Sequence, residues 1–127
     1  MDLPDDLMYS REHIWIRIDG DSITLGITDY AQDRLGEIEE VELPADGEEV
    51  VLGDVFGTIE SAETTSELIS PVTGEVIERN EDVIEDPGLI NDDPYYKGWL
   101  ITVKIYEPDE LNSLMSAAEY DEYLQNL

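Results

Sequence analysis

The chain has 127 residues, enough for one domain with a single modest core and too few for a second domain with its own cleft. Apolar residues make up 41% of it, so it should fold rather than behave as a disordered acidic tail. Thirty-three acids against six Lys and Arg give a formal charge of −27, which argues against nucleic acid and anionic membrane surfaces, because both need clustered cations.

The charge has three readings: a solvated surface that keeps a monomer soluble, adaptation to high salt, and steering toward partners with basic faces. With no cysteine, disulfides, thiolate metal sites and cysteine nucleophiles are excluded. The opening MDLPDDLMYS has neither the basic and apolar regions of a secretory signal nor the Arg-rich bias of a transit peptide. No apolar run reaches membrane-spanning length, and the expected location is the cytoplasm.

Taken in order, the chain reads as short strands with turn punctuation. His13 to Ile18 alternates bulky and polar residues, Asp19-Gly20-Asp21 makes a turn, and Ser22 to Ile27 returns as a hairpin partner. Thr28 reads as the N-cap of a short helix (DYAQDRL) that ends before Gly36. Ile38 to Leu43 forms a strand stopped by Pro44. Val50 to Leu52 precedes the turn Gly53-Asp54, and Val55 to Ser61 and Leu68 to Ser70 flank a polar loop, Ala62 to Glu67. Gly74 to Arg79 follows Pro71. The segments Gly47-Glu48-Glu49-Val50 and Gly74-Glu75-Val76-Ile77 echo one another, each leading to an acid-valine pair, which suggests a pseudo-symmetric pair in a sheet. Trp99 to Ile105 is the last strand. Pro108-Asp109-Glu110 then starts helical sequence, about residues 108–125, in which Leu111, Leu114, Met115, Ala117, Ala118, Tyr120, Tyr123 and Leu124 make an apolar face.

The inventory for catalysis is thin. His13, the single histidine, reads as a satisfied edge or core side chain inside the first strand, and one histidine without cysteine excludes most nitrogen and sulfur metal sites. There is no Gly-rich phosphate loop and no nucleophile elbow. The acid pairs Glu39-Glu40, Glu48-Glu49 and Asp92-Asp93 read as solvated face, because paired-carboxylate chemistry needs a cleft that separates two pKa values. Asn80-Glu81-Asp82 lacks the spacing of an EF-hand. The cluster Pro94-Tyr95-Tyr96-Lys97-Gly98-Trp99 reads as packing that anchors the last strand.

Several blocks together resemble a known family. Glu60-Ser61-Ala62-Glu63-Thr64-Thr65-Ser66-Glu67-Leu68, followed by Ser70-Pro71-Val72-Thr73-Gly74-Glu75-Val76, resembles the lipoyl-bearing hairpin of glycine cleavage system H proteins. Tyr9 to Trp15 is similar to that family's opening. Gly26 to Gln32, with Leu35-Gly36, is similar to its early helix. Leu43-Pro44 and Gly47 match its next turn, and Leu89-Ile90-Asn91, Asp93-Pro94-Tyr95 and Gly98-Trp99 match its closing segment. The resemblance runs from about Leu7 to Tyr123. It implies a mainly β fold (α+β), a barrel-sandwich hybrid of short strands with an early short helix and C-terminal helices packed at the side, in one domain spanning 1–127. It also implies a role in glycine catabolism as a swinging-arm carrier and not an enzyme. In the family, a lysine at the hairpin tip, near 60–67, is joined to lipoic acid. The arm takes an aminomethyl group from glycine decarboxylase, presents it to the aminomethyltransferase, and is reoxidised by dihydrolipoamide dehydrogenase.

The chain departs from the pattern at that lysine. Where the family has Glu-Ser-x-Lys, this sequence has Glu60-Ser61-Ala62-Glu63. Attachment needs a primary amine on a flexible stem, and a carboxylate cannot form that amide. The two lysines, Lys97 and Lys104, fall in the aromatic turn and the last strand, outside the hairpin. The expectation is therefore an H-protein homologue without its lipoyl group, a non-carrier paralogue that keeps docking to glycine cleavage or lipoyl-processing enzymes. The alternatives are an ordinary carrier with the attachment lysine altered, and an acidic module outside glycine metabolism whose Glu60, Glu63 and Glu67 bind a cation or a basic protein.

Overall fold

The computed structural model describes residues 2–127. The alternation at the start of the chain buries a strand on both faces. In β2 (Ile14–Asp19), Ile14 and Ile16 point into one apolar cluster and Trp15, between them, into another. Its hairpin partner β3 (Ser22–Ile27) pairs in register from Asp19↔Ser22 to Ile14↔Ile27. The last strand, β9 (Ile101–Ile105), joins β3 antiparallel. With β1 (Met8–Tyr9), β5 (Glu49–Val50) and β8 (Gly74–Arg79) they form a six-stranded sheet in the order β1-β2-β3-β9-β8-β5. A second sheet of three strands has the order β4-β6-β7, from β4 (Ile38–Glu42), β6 (Val55–Ser61) and β7 (Thr65–Ile69). The main core fills the space between the sheets, with Ile16, Leu25, Ile59, Leu68, Val76 and Val103 among its buried members.

The repeated Gly-Glu-Val segments meet each other directly. Val50 lies opposite Gly74, the Gly47 N–H donates to the Val76 carbonyl, and the Val76 N–H donates to the Glu48 carbonyl. Each copy's glycine thus faces the other copy's valine, as the expected pseudo-symmetric pair requires. The register also sets Glu49 opposite Glu75, a repulsive pair, while Lys104 on β9 flanks Glu75 from the other side.

The early helix α1 (Asp29–Leu35) follows its sequence signals. The Thr28 hydroxyl accepts a hydrogen bond from the Ala31 N–H, and Gly36 ends the helix at φ 78°. Two short helices, α2 (Glu81–Glu85) and α3 (Gly88–Asp92), were not expected. The Asn80 side chain starts the first by accepting from the Asp82 N–H, while its amide group donates to the Lys97 and Trp99 carbonyls.

The C-terminal segment differs from the expected continuous helical face. Pro108–Ser113 is a 3-10 helix, and Met115 is extended, exchanging two backbone hydrogen bonds of 2.8 Å with Tyr9. Regular helix resumes only in α4 (Ala117–Gln125), which opens on a capping box between Ser116 and Glu119. Its Ala117 and Tyr120 complete a second cluster with Leu7, Tyr9, Trp15 and Tyr95 on the outer face of the six-stranded sheet. Leu111 and Leu114 instead pack against the main core.

Trp15 lies directly over its cross-strand partner Gly26, where a Cβ would come within 2.5 Å of the indole carbons. Gly26→Ala should therefore displace the indole and cost about 1–3 kcal/mol of stability, as overpacking does. Urea unfolding of the two proteins checks this, and equal midpoints would show that the indole has room to move.

Candidate functional site

Strands β6 and β7 project a hairpin whose construction is governed by one serine. Its pairs run from Val55↔Ile69, across a register shift between Val55 and Gly57, to Glu60↔Thr65. Beyond them the Ser61 N–H donates to the Thr64 carbonyl at 2.8 Å, and the Thr64 N–H donates back to the Ser61 Oγ at 3.3 Å. The Ser61 hydroxyl also donates to the Thr64 carbonyl at 3.2 Å. Ser61 is buried, while Ala62, Glu63 and Thr64 are exposed. Neither Ala62 nor Glu63 has a positive φ, so the turn makes no demand for glycine.

The tip is thus narrower than the expected loop of Ala62 to Glu67. Thr65, Ser66 and Glu67 belong to β7. Their polarity suggests a loop, yet Thr65 and Glu67 occupy the solvent face of the hairpin, opposite Glu60 and Thr58. Ser66 pairs with Ile59 on the inward face and is only partly exposed. Glu63 stands at the turn, and among the described residues its side chain has no hydrogen bond or ion pair. Glu60, Glu63 and Glu67 do not converge: no group of three or more His, Asp or Glu among the described residues is placed to hold a metal ion.

Lys97 and Lys104 lie away from this hairpin. Lys97 is exposed in the turn before the last strand, and Lys104 is exposed on β9 between Ser22 and Glu75.

A cavity of about 190 Å³ opens beside the hairpin, between β7 and α1. Ser66 and Glu67 line it from the hairpin, Tyr30 and Arg34 from the helix, and His13 from the segment before β2. Sequence reasoning placed His13 inside a strand. Instead it sits one residue ahead of β2 with φ 69°, a left-handed conformation that turns the backbone. Its Nδ1 is 2.7 Å from the Tyr120 hydroxyl, which is also 2.9 Å from the hydroxyl of Thr28, the α1 N-cap. The histidine is satisfied, as expected, and it ties the C-terminal helix to the start of α1. Burial, with a smaller contribution from Arg34, holds its pKa below the ordinary 6.5, and burial pushes the Tyr120 hydroxyl up to about 12.

A lowered histidine pKa means that the unfolded chain takes the proton more readily than the folded one. The stabilisation from neutral His13 is therefore complete above the unfolded value of about 6.5 and is lost as pH falls through the folded value. His13→Asn, which tolerates the positive φ, should close part of its stability gap to the parent protein as pH drops below about 6.5. Parallel stability-pH curves would contradict the assignment.

Comparison with known proteins agrees with this geometry. The family described as Glycine cleavage H-protein matches residues 7–127. The chain is 50% identical over 123 residues to the glycine cleavage system H protein of Carboxydothermus hydrogenoformans, covering 97% of this chain and 95% of that one. It is 48% identical over 125 residues to glycine cleavage system H protein 1 of Caldanaerobacter subterraneus subsp. tengcongensis, covering 98% and 99%. Among solved structures, a glycine cleavage system H protein from Mycobacterium marinum superposes with a TM-score of 0.86 at 37% identity, covering 96% of this chain and 98% of that one.

Proposed function

Because the chain belongs to the glycine cleavage H-protein family, a family of lipoyl carriers with a barrel-sandwich fold rather than of catalysts, we propose that it is an H-protein homologue that does not carry the lipoyl group and keeps docking to H-protein partners. The observation behind this reading is Glu63. It occupies the exposed turn of the hairpin that resembles the family's lipoyl-bearing segment, and it offers a carboxylate where amide formation needs an amine. Neither lysine of the chain lies in that hairpin to replace it.

Retained docking is supported by how much of the scaffold persists around the changed position. H proteins as a family interact with the glycine cleavage enzymes. The candidate partners here are glycine decarboxylase, the aminomethyltransferase, dihydrolipoamide dehydrogenase and lipoyl-processing enzymes, with the cytoplasm as the expected compartment. Among the described residues, no helix is long and apolar enough to cross a membrane.

The openness of the turn also favours a second reading, an ordinary carrier whose lysine has been altered. Glu63 is exposed, has no positive φ and, among the described residues, makes no side-chain hydrogen bond or ion pair that a lysine would break. Intact mass of the protein from its native source separates the two: an unmodified chain with Glu63 upholds the non-carrier, and a lipoylated lysine at that position overturns it. Glu63→Lys should fold normally and gain one lipoyl group when incubated with a lipoyl-attachment enzyme, while the unsubstituted chain gains none. A Glu63→Lys protein that folds yet stays unmodified would count against carrier ancestry of the hairpin.

Docking without carriage also predicts competition. Added to a glycine cleavage assay run by a lipoylated H protein, the unsubstituted chain should raise the apparent KM for that H protein and leave kcat unchanged. No effect at a large excess would sink the docking half of the proposal and leave the acidic-module reading.

A further inference from the structure

The charge of this protein is almost wholly negative, with six Lys and Arg in all. On the far side of strand β2 from the main core, two of them converge on a hollow walled by aromatic rings. Arg17 and Lys97 line it with Tyr96, Trp99, Leu89 and one acid, Asp82, around a volume of about 660 Å³. The hollow is shallow and open to solvent. Among the described residues the one ion pair is Arg79 with Glu81, so neither Arg17 nor Lys97 is neutralised by a partner within 4.0 Å.

Arg17 also has aromatic and backbone partners. Its guanidinium carbon is 4.8 Å from the Trp15 ring centre and 5.3 Å from that of Tyr96, and one terminal nitrogen donates to the Tyr95 carbonyl at 2.7 Å. The two rings and the carbonyl restrict the group, and among the described residues its other N–H donors have no protein acceptor. A pre-oriented fork of this kind suits a planar or tetrahedral oxyanion. Tyr96 is 63% exposed and Trp99 is half-buried, so aromatic surface adjoins the cation.

We propose that this hollow binds a small molecule bearing an oxyanion on a flat ring, the anion held by Arg17 and Lys97 and the ring stacked on Tyr96 or Trp99. The site is separate from the hairpin of β6 and β7, and the proposal does not depend on how Glu63 is read. Asp82 at the rim opposes the anion and limits affinity.

The test is an NMR titration of the full chain, at about 0.15 M salt so that distant carboxylates are screened beyond about 8 Å. The probes are AMP, benzoate, adenosine and inorganic phosphate. AMP or benzoate should shift the Arg17, Lys97 and Trp99 side-chain signals saturably, with adenosine and phosphate at least about tenfold weaker. AMP binding in preference to benzoate would identify a phosphate-bearing ligand, and the reverse a carboxylate. Lys97→Gln should weaken the better probe about threefold or more, and Asp82→Asn should strengthen it, as one charge removed at short range requires. Lys104→Gln, which removes a cation from another strand, should change nothing. The proposal is overturned if neither ring-bearing anion binds, if adenosine or phosphate alone binds as tightly, or if Lys104→Gln acts like Lys97→Gln.

Discussion

The contact on which most of this architecture depends is that between Trp15 and its surroundings. A strand that buried only Ile14 and Ile16 would leave the outer face of the six-stranded sheet to solvent. Trp15 gives that face its own core: the indole lies on Gly26, its N–H donates to the Pro94 carbonyl at 2.9 Å, and its ring packs near Tyr95. Tyr9 stacks on Tyr120 at 4.8 Å in the same cluster, so α4 is held against the sheet through aromatic faces. The turn before the last strand, the C-terminal helix and the chain's opening segment are thereby organised around one side chain. The Arg17 fork is a by-product of the same arrangement, since the indole supplies one of its two stacking faces.

The hairpin is built on the opposite principle. Ser61 shapes its turn through its own hydroxyl, and Ile59 and Leu68 anchor its inner face in the main core. Nothing in that arrangement refers to the side chain at position 63. The hydrogen bonds that shape the turn are therefore indifferent to whether that residue is an amine or a carboxylate. Position 63 is exposed and free of the packing that constrains Ile59 and Leu68.

What could be read from the sequence follows the same division. The β2–β3 hairpin was legible because its alternation is strong and Asp19-Gly20-Asp21 marks the turn. Helix α1 was legible from Thr28 and Gly36. The start of β7 was not, since Thr65 and Glu67 sit on a solvent face where a strand and a loop have the same composition. Helices α2 and α3, at five residues each, are too short for a helical period to register, although Asn80 followed by two acids is a cap signal. Met115 fits a helical spacing and is extended because Tyr9 offers it an edge to pair with; the Ser116–Glu119 capping box marked the true helix start. The left-handed His13 gave no signal of its own; it closes the tight turn between β1 and β2, where its N–H donates to the Ser10 carbonyl and the Ser10 N–H donates to the Ile14 carbonyl. The hairpin's two strands and polar loop were legible from the residues, but the meaning of its tip came through family likeness, because a short polar turn is common to many proteins.

The near absence of ion pairs on so acidic a surface has a further consequence. With 33 acids and a single carboxylate–guanidinium contact within 4.0 Å among the described residues, the charge is left to the solvent to balance. The molecule diffuses inside an atmosphere of sodium or potassium ions. A basic partner that docks on it sets some of those ions free, and their gain in entropy drives encounter most strongly in dilute buffer and hardly at all in brine. Speed of association is thereby handed to the medium, while the lifetime of a complex rests on the fit of the surfaces once the ions have left.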